Sequence, residues 1–143
     1  MFKAAVRNGN RYCGPVSLSA VTGIGTKEIA QTVRHYYPSI KRVCGLEDIV
    51  LTTVLDHFGV KYTTNSCNGT LRSWVENYRR PNIPYIVMTS SHYLVVYNDQ
   101  VVCTQFGGKI ALLADSKYLR CRVHRYWLIK SNPKKEIVGA KHK

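Results

Sequence analysis

An α+β fold is the class this sequence predicts, with helices first and an antiparallel sheet after them. Two observations carry the expectation. Apolar residues recur at helical spacing through the early part of the chain, and β-rich stretches broken by turn residues fill the later part. A length of 143 residues with 45% hydrophobic content suits one domain around one core.

Residues 1–12 are a short polar lead, in which Asn8, Gly9 and Asn10 mark a turn. Residues 13–22 form the first expected helix, carrying Val16, Leu18, Ala20 and Val21, and Gly23 and Gly25 end it. Thr26 is the expected N-cap of a second helix, with Glu28 in its first turn, where a negative charge suits the dipole. That helix runs to about Tyr36, before Pro38. The third covers Leu46 to about Phe58, with Ile49, Val50, Val54, Leu55 and Phe58 on one stripe, and Gly59 terminates it.

Val60 to Thr64 alternates and reads as a strand, and Thr70 to Tyr78 as a short helix with Leu71, Trp74 and Val75 on one face. Ile83 to Met88, Tyr93 to Tyr97, Val101 to Gln105 and Leu119 to Ile129 read as strands. Trp74 and Trp127 are expected in the core. Domain boundaries are placed at 1–130, with 131–143 a basic tail holding Lys134, Lys135, Lys141 and Lys143.

Lys and Arg total 21 against 8 Asp and Glu, a net charge of +13. Such an excess suits a polyanionic neighbour: nucleic acid, an acidic protein or an anionic surface. The five cysteines, Cys13, Cys44, Cys67, Cys103 and Cys121, are odd in number, and none pair at metal-knuckle spacing. Neither a disulfide framework nor a metal or other cofactor is expected. Residues 1–12 lack the apolar run of a signal peptide, and no stretch approaches the roughly 20 apolar residues of a membrane span. The expected compartment is the cytoplasm.

The chemistry centres on Cys13. A thiol attacks as thiolate, which a helix N-terminus and a neighbouring histidine both favour. Cys13 follows a turn and opens a helical run; Gly14 is expected to let the backbone turn tightly, and Pro15 suits a first turn. The Cys13 backbone N–H is placed to face a developing oxyanion. His92 is the best partner among the five histidines, because it begins the apolar run His-Tyr-Leu-Val-Val-Tyr after Ser90-Ser91, at the mouth of a sheet. His35 and His57 sit in helix contexts, His124 in a basic strand and His142 in the tail.

Cys-Gly-Pro before a helix of small and apolar residues, followed in the second half by His-Tyr-Leu-Val-Val, resembles the papain-like cysteine peptidases. The chain is most similar to the bacteriocin-leader-peptidase type and its small phage-encoded relatives, over roughly residues 5–106. The resemblance implies a papain-like fold, with N-terminal helices packed on a C-terminal antiparallel sheet, Cys13 as nucleophile and His92 as general base. If the chain is phage-encoded, it also implies host cytoplasm or virion as the compartment.

Two positions depart from the family pattern. The family has a Gln about six residues before the Cys as oxyanion donor, where this chain has Arg7; Asn8 is the nearby amide of better reach. The family has Asp or Asn on the strand after the His, where this chain has Val-Val-Cys-Thr-Gln. If Asn98-Asp99 is a two-residue turn, Tyr97 faces Gln100 and His92 faces Gln105, whose amide would accept from the imidazole. A slip of one residue brings Thr104 or Phe106 there instead. Asp99, at the hairpin tip, lies some 20 Å away at about 3.3 Å per residue.

Late in the chain, Arg120, Arg122, His124 and Tyr126 are expected on one strand face, with Arg125 adjoining, as a surface for an acidic partner or nucleic acid. The plain alternative is a charged edge strand. Two functions follow. One is a thiol hydrolase acting on a peptide or isopeptide bond of a host or virion protein, with Cys13, His92, Gln105 and Asn8 as its machinery. The other is a catalytically weakened papain-like scaffold that binds an acidic protein or nucleic acid.

Overall fold

The structure is a computed structural model describing residues 13–40, 46–90 and 92–131. Four helices, α1 (Cys13–Thr22), α2 (Thr26–Tyr36), α3 (Asp48–His57) and α4 (Leu71–Asn77), accompany six strands. The strands are β1 (Lys61–Thr70), β2 (Pro84–Thr89), β3 (His92–Tyr97), β4 (Gln100–Val102), β5 (Ile110–Leu112) and β6 (Arg122–Ser131). They form one sheet in the order β1-β6-β2-β3-β4-β5, every pair antiparallel. The α+β class is therefore observed among the described residues.

Both faces of the central strands β2 and β3 are covered. On one, Ile86, Tyr93, Val95, Val102, Trp127 and Ile129 pack with the apolar residues of α1, α2 and α3. On the other, Tyr85, Val87, Leu94, Val96 and Val101 pack with Trp74 of α4 and with Leu113. This double burial explains why β2 and β3 read as continuous apolar runs rather than alternating ones. Both tryptophans are fully buried.

Helix α1 is enclosed on all sides: Gly14 to Thr22 are all buried. It ends at Gly23, whose φ of 78° is left-handed and whose N–H donates to the Ser19 carbonyl oxygen at 2.8 Å. Gly14 has a different use from the one expected. It lies within the helix, and a Cβ built there would sit 2.7 Å from Leu46 Cγ and 2.8 Å from Leu46 Cδ1. The glycine admits Leu46 against the first turn of α1; it does not make a turn.

Other differences are local. Gly25 is the N-cap of α2 and Thr26 lies inside the helix, buried. Ile49 is 64% exposed, and Leu51 takes its place in the α3 stripe. Strand β1 extends to Thr70 with a register shift between Ser66 and Gly69, because its backbone pairs with β6 whatever the turn-like composition of Asn65 to Gly69. Thr70 caps α4, its side-chain oxygen accepting from Ser73 N–H. Strand β5, only three residues long, carried no periodic signal.

Candidate functional site at one end of the sheet

Antiparallel pairing brings four strand ends together. Strand β2 ends at Thr89, β3 begins at His92, β4 ends at Val102, and β6 begins at Arg122. Thr89 pairs with His92, and its hydroxyl donates to the His92 carbonyl oxygen at 3.3 Å. His92 is therefore fixed at the mouth of the sheet.

Cys13, half-buried, begins α1 at this same end. A charge on its sulfur reaches the phenol groups of Tyr93 and Tyr118 and the thiol of Cys103. Tyr93, next to His92, also fastens the helical layer. Its hydroxyl donates toward the Leu46 carbonyl oxygen at 2.7 Å and Asp48 Oδ1 at 3.0 Å. Burial, then the Asp48 charge, pushes the Tyr93 phenol pKa up, so it stays a donor at any physiological pH.

The His92 side chain is 9% exposed, and its Nε2 has no hydrogen-bond partner among the described residues. Its ring stacks on Tyr118, with centroids 4.1 Å apart and planes 13° from parallel. Burial, and then the positive charge of Lys117, lowers its pKa to about 4. At neutral pH the imidazole is uncharged and able to accept a proton. Lys117 Nζ lies 5.4 Å from the Tyr118 ring centroid, so one short segment supplies both the stack and the charge.

Gln105 does not face His92. The hairpin register is the expected one, with Tyr97 opposite Gln100, Val96 opposite Val101 and Val95 opposite Val102. The strand stops there, however, and the chain turns at Cys103 into a 3-10 turn over Thr104–Phe106, with Gly107 left-handed at φ 65°. The Gln105 amide is committed elsewhere: Oε1 accepts from Lys117 N–H at 3.1 Å, and Nε2 donates to the Asp115 carbonyl oxygen at 3.5 Å. Gln105 therefore braces the segment carrying Lys117 and Tyr118, one step removed from the imidazole. Asn8 and Arg7 lie outside the described residues.

Tyr118 and Lys117 complete the surroundings of His92 without a mark in the sequence that singles them out. Lys117 and Tyr118 sit in a turn-rich stretch just before the strand expected from Leu119. The remaining signal was an aromatic beside a cation in a loop, which is weak without knowledge of where the loop returns. Cys103 is buried, and burial raises its thiol pKa.

The expected basic face is dispersed. Arg120 lies in the turn before β6. Arg122 is held by the Asn68 side-chain oxygen. A register shift opposite Met88 and Thr89 breaks the alternation, so Val123 packs on the same side as Tyr126 and Leu128. Arg125 turns toward the helical side, pairing with Asp48 Oδ2 at 3.2 Å. Strand β6 is internal, between β1 and β2, so it is not the edge strand considered above.

Among the described residues no cluster of His, Cys, Asp and Glu is suited to a metal, and no helix is long and apolar enough to cross a membrane. No protein-family model and no curated protein matches the chain.

Proposed function

We propose that the protein is a thiol hydrolase on a papain-like scaffold, cleaving a peptide or isopeptide bond. The observation that supports this most is the buried, uncharged His92 at the strand mouth, at the sheet end where Cys13 opens a fully buried helix. A neutral imidazole is a proton acceptor, and a thiol at a helix start gains from the positive end of the dipole on ionising.

In this reading His92 takes the Cys13 proton, and the sulfur attacks the substrate carbonyl carbon. The Cys13 backbone N–H stabilises the oxyanion, with Asn8 its proposed second donor. The C–N bond breaks as His92 returns the proton to the departing amine. Water, deprotonated by His92, then attacks the thioester, releasing the acid and restoring the thiol. Tyr118 is a positioning residue that holds the imidazole by its face, where an acid or amide would hold it by a hydrogen bond.

The test is incubation with a complex peptide library, read by mass spectrometry, for wild type, Cys13→Ala and His92→Ala. Cleavage by wild type that both variants lose supports the reading. Absence of cleavage, together with equal and slow alkylation of Cys13 and the other cysteines, overturns it.

A further inference from the structure

A groove of about 440 Å³ opens on the α4 side of the sheet, the face opposite the one α1 packs on. Its floor is β6 and β1, and one wall is the end of α4 with the Arg79-Arg80 turn after it. Tyr78 and Tyr126 line it with ring centroids 6.0 Å apart, and Tyr78 is 51% exposed. Arg80 and Lys130 also line it, both exposed. Asn65 and Asn77 bring amides, and no Asp or Glu lines the groove.

Among the described residues, neither Arg80 nor Lys130 has an ion-pair partner. The ion pair found among the described residues, Arg125 with Asp48, is on the other face, and it engages neither Arg80 nor Lys130. Two cations in one groove with an exposed Tyr78 and a half-buried Tyr126 match a repeating ligand in which phosphates alternate with flat rings. Backbone charge is met by Lys and Arg, and a base stacks on a phenol face. A duplex is read by a helix or ribbon projecting into its groove. This site is concave, so it accepts a strand and not a double helix.

We propose that this groove binds single-stranded nucleic acid, with Arg80 and Lys130 on phosphates and Tyr78 and Tyr126 as the stacking platform. The site is independent of Cys13 chemistry. An acidic polypeptide would use the cations but gain nothing from stacking, which decides between the two.

Fluorescein-labelled 12-mers of thymidine deoxynucleotides and of uridine ribonucleotides, followed by anisotropy at about 0.1 M salt, test the proposal. Both arms share the chemistry, and the tighter one names DNA or RNA. Tyr78→Ala is expected to weaken binding at least about five-fold. Arg80→Ala with Lys130→Ala is expected to reduce the slope of log K against log salt by about 1.4, from two lost phosphate contacts on a single strand. Cys13→Ala is expected to bind like wild type. Tyr78→Leu retains bulk should the alanine variant lose its fold, and is expected to weaken binding in the same direction. No binding by wild type overturns the proposal. So does binding unchanged by both the tyrosine and cation substitutions, or displacement by polyglutamate at concentrations where the oligonucleotides do not compete with one another.

Discussion

The Tyr118 ring lies flat on the His92 imidazole, centroids 4.1 Å apart and planes 13° from parallel. A stack restrains the tilt of the ring, but leaves Nε2 without a hydrogen bond among the described residues. The imidazole is therefore held without being made more basic, and its low pKa follows from burial and Lys117.

Replacing Tyr118 separates positioning from bulk. Tyr118→Phe keeps the stack and is expected to keep turnover. Tyr118→Ala is expected to cut kcat about 2- to 12-fold, the worth of about 0.5–1.5 kcal/mol of aromatic pairing. It also admits water to His92, so the imidazole pKa should rise from about 4 toward its ordinary value. NMR titration of the ring proton reads this shift, which a merely structural loss elsewhere would not produce. An unmoved titration would refute the positioning role.

His92 also makes stability depend on pH. Its folded pKa is about 4 against 6.5 for the free group, so between these values the unfolded chain binds the proton and the folded one does not. Above pH 6.5 the histidine has no effect. As pH falls from 6.5 toward 4, stability is lost at up to about 1.4 kcal/mol per unit, approaching about 3 kcal/mol in all. Carboxylates add their own dependence, so the measurement is the difference from His92→Phe, which keeps a ring on Tyr118 but does not titrate. Urea unfolding at pH 7 and pH 4.5 should show the wild type losing about 2 kcal/mol more than the variant. Parallel losses would show that His92 is not held neutral.

Thiol reactivity should follow placement. Cys13, half-buried at a helix start, should react with iodoacetamide at pH 6 much faster than the buried Cys103. It should also outpace Cys67 and Cys121, which are similarly exposed but do not begin a helix. His92→Ala should slow Cys13 labelling about ten-fold, the loss of thiolate that a one-unit rise in thiol pKa brings. Peptide mapping of the labelled protein gives each rate, and equal rates would contradict the Cys13 assignment.

Gly14→Ala should destabilise although alanine is the better helix former. The helix gain is at most about 1 kcal/mol, whereas forcing a methyl into a packed contact costs about 1–3 kcal/mol. The contact is Leu46, 2.7 Å from the added Cβ. Thermal unfolding should show a lower midpoint for Gly14→Ala and partial recovery in the Gly14→Ala, Leu46→Ala double variant relative to Leu46→Ala alone. Additive losses would mean that the clash is absent.

Much of the fold was legible because apolar spacing and turn residues agree with the tertiary arrangement. The Asn98-Asp99 hairpin is the clearest case, its register readable from the turn alone. The places of Cys13 and His92 were legible, because a helix start and a strand start leave local marks. Their surroundings were not. Gln105 was misplaced because pairing stops at Val102, and no local rule says where a buried strand gives way to a 3-10 turn. Tyr118 and Lys117 reach His92 across a long return of the chain, which periodicity does not encode. The β6 face was misread because the irregularity opposite Met88 and Thr89 arises between strands rather than within one.

The enclosure of α1 has a dynamic consequence. With Val16, Leu18, Ala20 and Val21 wholly inaccessible, the amides past its first turn are expected to exchange with solvent chiefly through global opening. The segment carrying Lys117 and Tyr118 is built of turns outside the strand ladder, with Lys117 exposed and Tyr118 half-buried, and belongs to the shallower end of that opening hierarchy. Warming or acidification should therefore free the imidazole from its stack while the sulfur still stands on a closed helix, so reactivity at Cys13 should fade before the fold does.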